Sequence, residues 1–149
     1  MIIKRIVVPV DFSEPSLAAL RYAVELNQRC GATLLVVFVV EVIYYAAENV
    51  GRLLEEQCRQ AEAELARLKT NLARQGVTVQ TMVETGPPSL AIVDCARRRA
   101  ADLIVMATHG RTGLSHLLMG SVAEKVVRTA ACPVLTVPAG APRRRAAKS

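Results

Sequence analysis

Apolar side chains along this chain fall into five short runs rich in valine, isoleucine, leucine and alanine. Uninterrupted apolar runs of about four to eight residues are typical of strands buried on both faces of a parallel sheet. Between them, apolar positions recur with the spacing of amphipathic helices. We predict strands over residues 2–10, 33–40, 76–84, 101–107 and 133–137, helices over 13–30, 53–75, 90–99 and 120–130, and loops over 41–51 and 108–119.

The first predicted helix carries signals at both of its ends. Ser13 can cap the free backbone N–H groups, and Pro15 is tolerated in a first helical turn. Gly31 suits the left-handed conformation that ends many helices. These signals place the helix between the first two strands.

The alternation of strands and helices predicts the fold class. Parallel strands joined by helices form an open sheet with right-handed crossovers. We therefore expect one α/β domain over residues 1–138, a doubly wound open sheet of five parallel strands with helices on both faces. Residues 139–149 are small and basic, and we expect them to form a disordered tail.

The longest predicted helix has a stripe of apolar positions spaced alternately by four and three residues. Such a stripe is either one face of a coiled coil or a helix face that lies on a sheet. The pattern lasts for less than about three heptads, which favours the sheet-facing interpretation. The stripe consists of Leu54, Cys58, Ala61, Leu65, Leu68 and Leu72.

Composition narrows the class of protein. Hydrophobic residues make up 52% of the chain and aromatic residues only 3%, so the core must rest on aliphatic side chains. The longest apolar run, residues 34–40, is far shorter than the ~20 residues that span a bilayer, and we expect no membrane segment and no signal peptide.

The four cysteines form neither a CxxC pair nor a metal cluster, which predicts buried, reduced thiols in a cytoplasmic protein.

The net charge of +6 is concentrated near the end of the chain, at Arg143, Arg144, Arg145 and Lys148. Without these four residues, fifteen basic side chains are balanced against thirteen acidic ones. A basic tail could bind nucleic acid, but no aromatic stacking platform accompanies it, which favours a solvated tail. We therefore expect no nucleic-acid partner.

Candidate ligand-binding residues follow the first and the fourth predicted strands. Asp11 comes directly after the first strand, and His109 and Gly110 come after the fourth. In open α/β sheets, ligands bind beyond the carboxyl ends of the strands, where the strand order reverses. If both segments serve one site, strands one and four are neighbours, which predicts the order 3-2-1-4-5.

Gly120 and Ser121 open the last predicted helix, whose first N–H groups and dipole favour an anion. Gly110 allows the backbone to approach a ligand closely, and the Ser121 hydroxyl could bond a phosphate oxygen. Ser121 and Glu124 also have the spacing of a capping box, which needs no ligand. The two interpretations are compatible, because a capped helix can still offer N–H groups to phosphate.

Three further side chains each have a functional and an ordinary interpretation. Asp11 could accept hydrogen bonds from ribose hydroxyls or a base amine, or it could be a turn residue. His109 could donate a proton or contact phosphate, or it could be solvated in a loop. Arg111 could reach a phosphate, or it could be a surface charge.

Three stretches of the sequence resemble the universal stress protein family. They are IVVPVDFS from Ile6, MATHGRTG from Met106 with GSVAEKV from Gly120, and CPVLTVP from Cys132. The resemblance covers about residues 3–138. It implies the five-stranded fold and a homodimer paired through the last strand, at Val134–Val137, which would otherwise be an exposed apolar edge. It also implies binding of ATP, ADP or AMP, often with Mg²⁺ or Mn²⁺.

The family's phosphate motif is Gly, two residues, Gly, nine residues, then Gly followed by Ser or Thr. Gly110, Gly120 and Ser121 match it, whereas Ala107 stands at the first glycine. A methyl group there is tolerable if φ is negative, but it could crowd the sugar. The resemblance implies an adenosine pocket at Pro9, Val10 and Asp11, an adenine contact at Val39, ribose contacts at Met106 and Ala107, and a phosphate side at His109, Gly110, Gly120, Ser121 and Val122.

Two functions remain open at this point. The first is an adenine-nucleotide-binding regulatory protein of the stress response, a homodimer with at most slow ATP hydrolysis, because no residue pattern marks a catalytic base. The second is a dimeric protein-interaction module of the same fold that binds no nucleotide, for which Ala107 leaves room. Nucleotide retained through purification would distinguish them.

Overall fold

The computed structural model describes residues 1–42, 49–110 and 118–140. Strands and helices alternate: β1 (Arg5–Pro9), α1 (Glu14–Cys30), β2 (Thr33–Val40), α2 (Val50–Arg74), β3 (Val79–Thr85), α3 (Pro88–Arg98), β4 (Leu103–Ala107), α4 (Ser121–Thr129) and β5 (Val134–Val137). The five strands are parallel and lie in the order β3-β2-β1-β4-β5. The predicted α/β fold and strand order are therefore confirmed.

Helices cover both faces of the sheet, and each face has its own apolar layer. Residues of α1 and α2 pack on one face, where Ile6, Val36 and Val105 are fully buried. Residues of α3 and α4 pack on the other, where Val37 and Ile104 are fully buried. Successive side chains of a strand point to opposite faces, so both layers draw on the same strands. This explains why the apolar runs are uninterrupted.

Several element boundaries differ from the predicted ones by a few residues. β1 begins at Arg5 rather than at residue 2, because its first partner on β2 is Thr33. α2 begins at Val50, so the end of the predicted loop 41–51 is helical. Residues 43–48 and 111–117 of the predicted loops and residues 141–149 of the predicted tail lie outside the described residues.

The apolar stripe of α2 lies on the sheet. Ala61, Leu65 and Leu72 are buried, and Leu68 packs against the layer under α1 and α2. This face of α2 contacts β2 and β3, so the sheet-facing interpretation is confirmed for this part of the stripe. No helix of the described residues, α2 included, is long and apolar enough to cross a membrane.

The prediction of buried thiols is right for only one cysteine. All four thiols are free, and Cys95 is buried, whereas Cys58 and Cys132 are half-buried. Cys30 is exposed, because it is the last residue of α1. Burial raises the pKa of the Cys95 thiol, which keeps it protonated at neutral pH.

β1 and β4 are paired only at their amino ends. In this described part of the sheet, the ladder between them ends at Val7 and Ile104, whereas β1 and β2 are paired along the whole of β1. The Asp102 carboxylate accepts hydrogen bonds from the backbone N–H groups of Lys4 (2.8 Å) and Arg5 (2.9 Å), which lower its pKa. The strands are therefore paired at their amino ends and unpaired toward their carboxyl ends, where the strand order reverses and a ligand crevice is expected.

Candidate functional site

The segments that follow β1 and β4 meet at the carboxyl edge of the sheet, where the strand order reverses. A Cβ atom at Gly110 would lie 2.8 Å from Oδ2 of Asp11. The φ angle of Gly110 is not positive. A larger residue at this position would therefore displace the Asp11 carboxylate, whereas the backbone conformation itself does not require glycine. Two candidate residues that are 99 positions apart in the sequence thus come into contact.

Asp11 is held in place by serine side chains at the start of α1. Its Oδ1 atom accepts hydrogen bonds from the backbone N–H of Ser13 (3.0 Å) and from the Ser13 hydroxyl. The N–H of Asp11 donates to Oγ of Ser16 (3.2 Å), and that hydroxyl donates to the carbonyl oxygen of Ser13 (2.9 Å). Asp11 is therefore a turn residue whose carboxylate also has a defined orientation at the crevice.

Phe12 belongs to this turn, and the sequence alone carries no signal for its role. Its φ angle is +61°, a left-handed conformation that costs a bulky side chain on the order of 1–3 kcal/mol. The ring stacks on Phe38 with a centroid distance of 5.4 Å, and both rings pack against the layer under α1 and α2. This packing offsets the strain and holds the chain direction that brings Asp11 to Gly110.

His109 is 9% exposed, so the interpretation as a solvated loop residue is wrong. Its Nδ1 atom lies 2.9 Å from the hydroxyl oxygen of Thr108. Its Nε2 atom is buried and has no hydrogen-bond partner among the described residues. A buried polar atom without a partner costs about 1–3 kcal/mol.

α4 begins at a different cap from the predicted one. Gly120 is the N-cap residue, and its N–H donates to the carbonyl oxygen of Thr108 (2.7 Å). The Glu124 carboxylate is paired with Arg128 at 2.9 Å. The predicted capping box is therefore not formed. The first N–H groups of α4 lack partners within the helix and favour an anion beside the exposed Ser121.

The other residues that the family resemblance implies lie along the same edge at different depths. Pro9, Val39 and Val122 are half-buried, and Val10 and Met106 are buried. Val122 and Val39 pack against the layer under α3 and α4. Arg111 lies outside the described residues.

Ala107, which replaces the first glycine of the motif, is accommodated without strain. It is the last residue of β4, it is buried, and its φ angle is not positive. Its methyl group belongs to the apolar layer under α1 and α2. The backbone at this position therefore does not require glycine.

The described donor atoms of the site do not form a metal centre. Within residues 1–42, 49–110 and 118–140, no three His, Cys, Asp or Glu side chains are grouped closely enough to bind a metal ion. Mg²⁺ commonly binds through one or two carboxylates together with substrate phosphates and water. A divalent ion at this edge would therefore depend on ligands from a bound phosphate.

Comparison with known proteins finds relatives over nearly the whole chain. The sequence profile of the universal stress protein family matches residues 3–138. A universal stress protein of Methanocaldococcus jannaschii is 38% identical over 141 residues, which cover 90% of this chain and 81% of that protein.

Solved structures of the same family share the fold. The universal stress protein UspA from Lactobacillus plantarum aligns with a TM-score of 0.82 and 27% identity, covering 92% of this chain and 99% of that one. A universal stress protein solved in complex with cAMP aligns with a TM-score of 0.60 and 26% identity, covering 92% of this chain and 98% of that one.

Proposed function

The chain belongs to the universal stress protein family, and on that premise we propose that it binds an adenine nucleotide in the crevice between β1 and β4. ATP, ADP and AMP are the candidate ligands, and the related structure solved with cAMP supports this class. We further propose a homodimeric regulatory protein of the stress response, with its domain over residues 1–138. The cytoplasmic location stays a prediction from the sequence.

One observation carries the proposal: a carboxylate and a helix N-terminus converge on the same edge of the sheet. Asp11 comes from the β1 side and contacts Gly110. Gly120, at the start of α4, is bonded to Thr108 on the same connection after β4. A nucleotide requires acceptors for its hydroxyl and amine groups and donors for its phosphates. This edge supplies both.

Each polar residue of the crevice then has a distinct role. Asp11 would accept hydrogen bonds from ribose hydroxyls or from the base amine. The N–H groups at the start of α4 and the Ser121 hydroxyl would donate to phosphate oxygens. His109 would lie on the phosphate side of the nucleotide, as the family resemblance implies.

The described carboxylates favour binding over rapid hydrolysis. The Asp11 carboxylate is engaged by Ser13, and the Glu124 carboxylate is paired with Arg128. A general base must be within hydrogen-bond reach of the attacking water and ready to accept its proton. We therefore propose at most slow ATP hydrolysis.

Calorimetric titration of the nucleotide-free protein with ATP, ADP and AMP, each with and without Mg²⁺, tests the proposal. We expect a dissociation constant on the order of micromolar, equivalent to about 8 kcal/mol of binding free energy. ITP is the matched control, because its base lacks the exocyclic amine that would donate a hydrogen bond to Asp11. Mass spectrometry of small molecules released by acid gives an independent reading. If neither heat of binding nor released nucleotide is found, the proposal fails and the dimeric interaction module takes its place.

β5 supports the proposed homodimer. It is the last strand of the sheet, and Leu135 on this strand is 42% exposed. An apolar strand at the edge of a sheet offers backbone groups and side chains to a second strand. If two copies paired through Val134–Val137, these backbone groups and apolar side chains would be covered.

Replacing Leu135 with arginine is therefore expected to convert a dimer into a monomer. Two guanidinium groups would be brought together at a paired edge and lose hydration. Sedimentation velocity measures the change. Leu90→Arg, at a leucine of α3 that is 64% exposed, is the matched control and should remain dimeric. A wild-type monomer, or a dimeric Leu135→Arg variant, would exclude the proposed interface.

A further inference from the structure

The face of the sheet that α3 covers is open at its amino end. α3 runs back from the carboxyl edge and ends at Arg98, before the ends of the strands are covered. The exposed floor consists of polar side chains from three neighbouring strands: Arg5, Thr33 and Gln80. These residues surround a groove of about 410 Å³. That volume lies in the range of small-molecule sites.

Three guanidinium groups line this amino-edge groove: Arg5 from β1, and Arg98 and Arg99 at the end of α3. Arg98 is fixed by an ion pair with Glu84 at 2.6 Å. Among the residues that the structure describes, the ion pairs include neither Arg5 nor Arg99. An Nη atom of Arg99 lies 3.8 Å from the sulfur of Met82, which is a weak and uncharged acceptor.

The helix dipole does not account for this cluster. Basic residues are favoured in the last turn of a helix, and Arg97 is an example that also pairs with Asp94 at 2.9 Å. Arg5, however, lies on a strand. The nearby carboxylate of Asp102 is already occupied by the backbone N–H groups of Lys4 and of Arg5 itself. The charge of Arg5 also contributes to the lowered pKa of that carboxyl, after the backbone hydrogen bonds. Two guanidinium groups that form none of the described ion pairs thus line one concave surface.

We propose that the amino-edge groove is a second binding site, which takes a compact anion carrying phosphate or carboxylate groups. Guanidinium groups recognise such oxygens through paired hydrogen bonds. The Gln80 amide and the Thr33 hydroxyl add uncharged donors on the floor. The groove lies at the opposite edge of the sheet from the crevice between β1 and β4. It is therefore spatially separate from the proposed nucleotide site.

Amide chemical shifts of the isotopically labelled full chain test this proposal, with pyrophosphate and citrate as separate probes at constant ionic strength. We expect shifts at Thr33, Gln80 and Arg99. The double variant Arg5→Gln/Arg99→Gln should bind about tenfold more weakly or worse, because it loses two charge-assisted donors. A response to pyrophosphate alone assigns phosphate as the ligand group, and a response to citrate alone assigns carboxylate.

The double variant Arg74→Gln/Arg97→Gln is the matched control, because it removes the same charge from side chains outside the groove. Its affinity for the probe should equal that of the wild type. An equal loss in the control would show that net charge alone attracts the anion. The proposal would be overturned by such an equal loss. It would also be overturned if the shifts were confined to residues 107–123, or if neither probe caused a shift.

Discussion

Replacing Gly120 with valine is expected to weaken nucleotide binding severely and to leave the five-stranded sheet folded. A Cβ atom at this position would lie 2.9 Å from the carbonyl oxygen of Thr108 and 3.6 Å from Cα of His109. Both are backbone atoms, so the connection between β4 and α4 would have to shift. The shift would break the 2.7 Å hydrogen bond that positions the start of α4. We expect affinity to fall roughly 100-fold or more, since the phosphate donors would no longer converge.

Titration with ATP measures this loss, and circular dichroism with thermal unfolding shows whether the variant is folded. Overpacking of this kind costs about 1–3 kcal/mol of stability. Gly51→Val, in α2, is the matched control, because a Cβ there meets nothing within 4 Å. Gly120→Ala adds the same Cβ atom with less bulk and should weaken binding in the same direction. Unchanged binding by folded Gly120→Val would remove the start of α4 from the site.

Replacing Leu65 with alanine is expected to lower the free energy of unfolding by about 2–5 kcal/mol. Leu65 is 2% exposed and lies in the apolar layer between α2 and the sheet. The truncated side chain would leave a cavity that neighbouring strands cannot fill, because their backbones are held by the sheet. Urea denaturation measures the change.

Leu53 provides the control for this prediction on the same helix. It is 58% exposed, so Leu53→Ala should change the free energy of unfolding by no more than about 0.5 kcal/mol. Equal losses at the two positions would contradict the placement of the stripe on the sheet. A loss that depends on protein concentration would instead point to the coiled-coil interpretation.

The candidate site could be located from the sequence, but its contacts could not. The positions of Asp11 and Gly110 after two strands were enough to predict that they share an edge. The approach of the Asp11 carboxylate to Gly110, so close that a Cβ atom at Gly110 would lie 2.8 Å from Oδ2, depends on how the two loops pack. The capping box predicted at Ser121 is a case in which local sequence spacing gave the wrong contact. Its local spacing fits, but the bond from Gly120 to Thr108 sets the cap one residue earlier.

The sequence by itself determined the strands and helices of the described residues and their parallel α/β class. These features follow from periodicity and from the rules of parallel α/β topology, which act along the chain. The order of the strands was predicted from the sequence only with the further assumption that Asp11 and Gly110 serve one edge. Only the tertiary structure decided the left-handed conformation of Phe12, the burial of His109 and the amino-edge groove between Arg5 and Arg99. Each of them depends on segments that are distant in sequence, and the packing energy between such segments outweighs local preference.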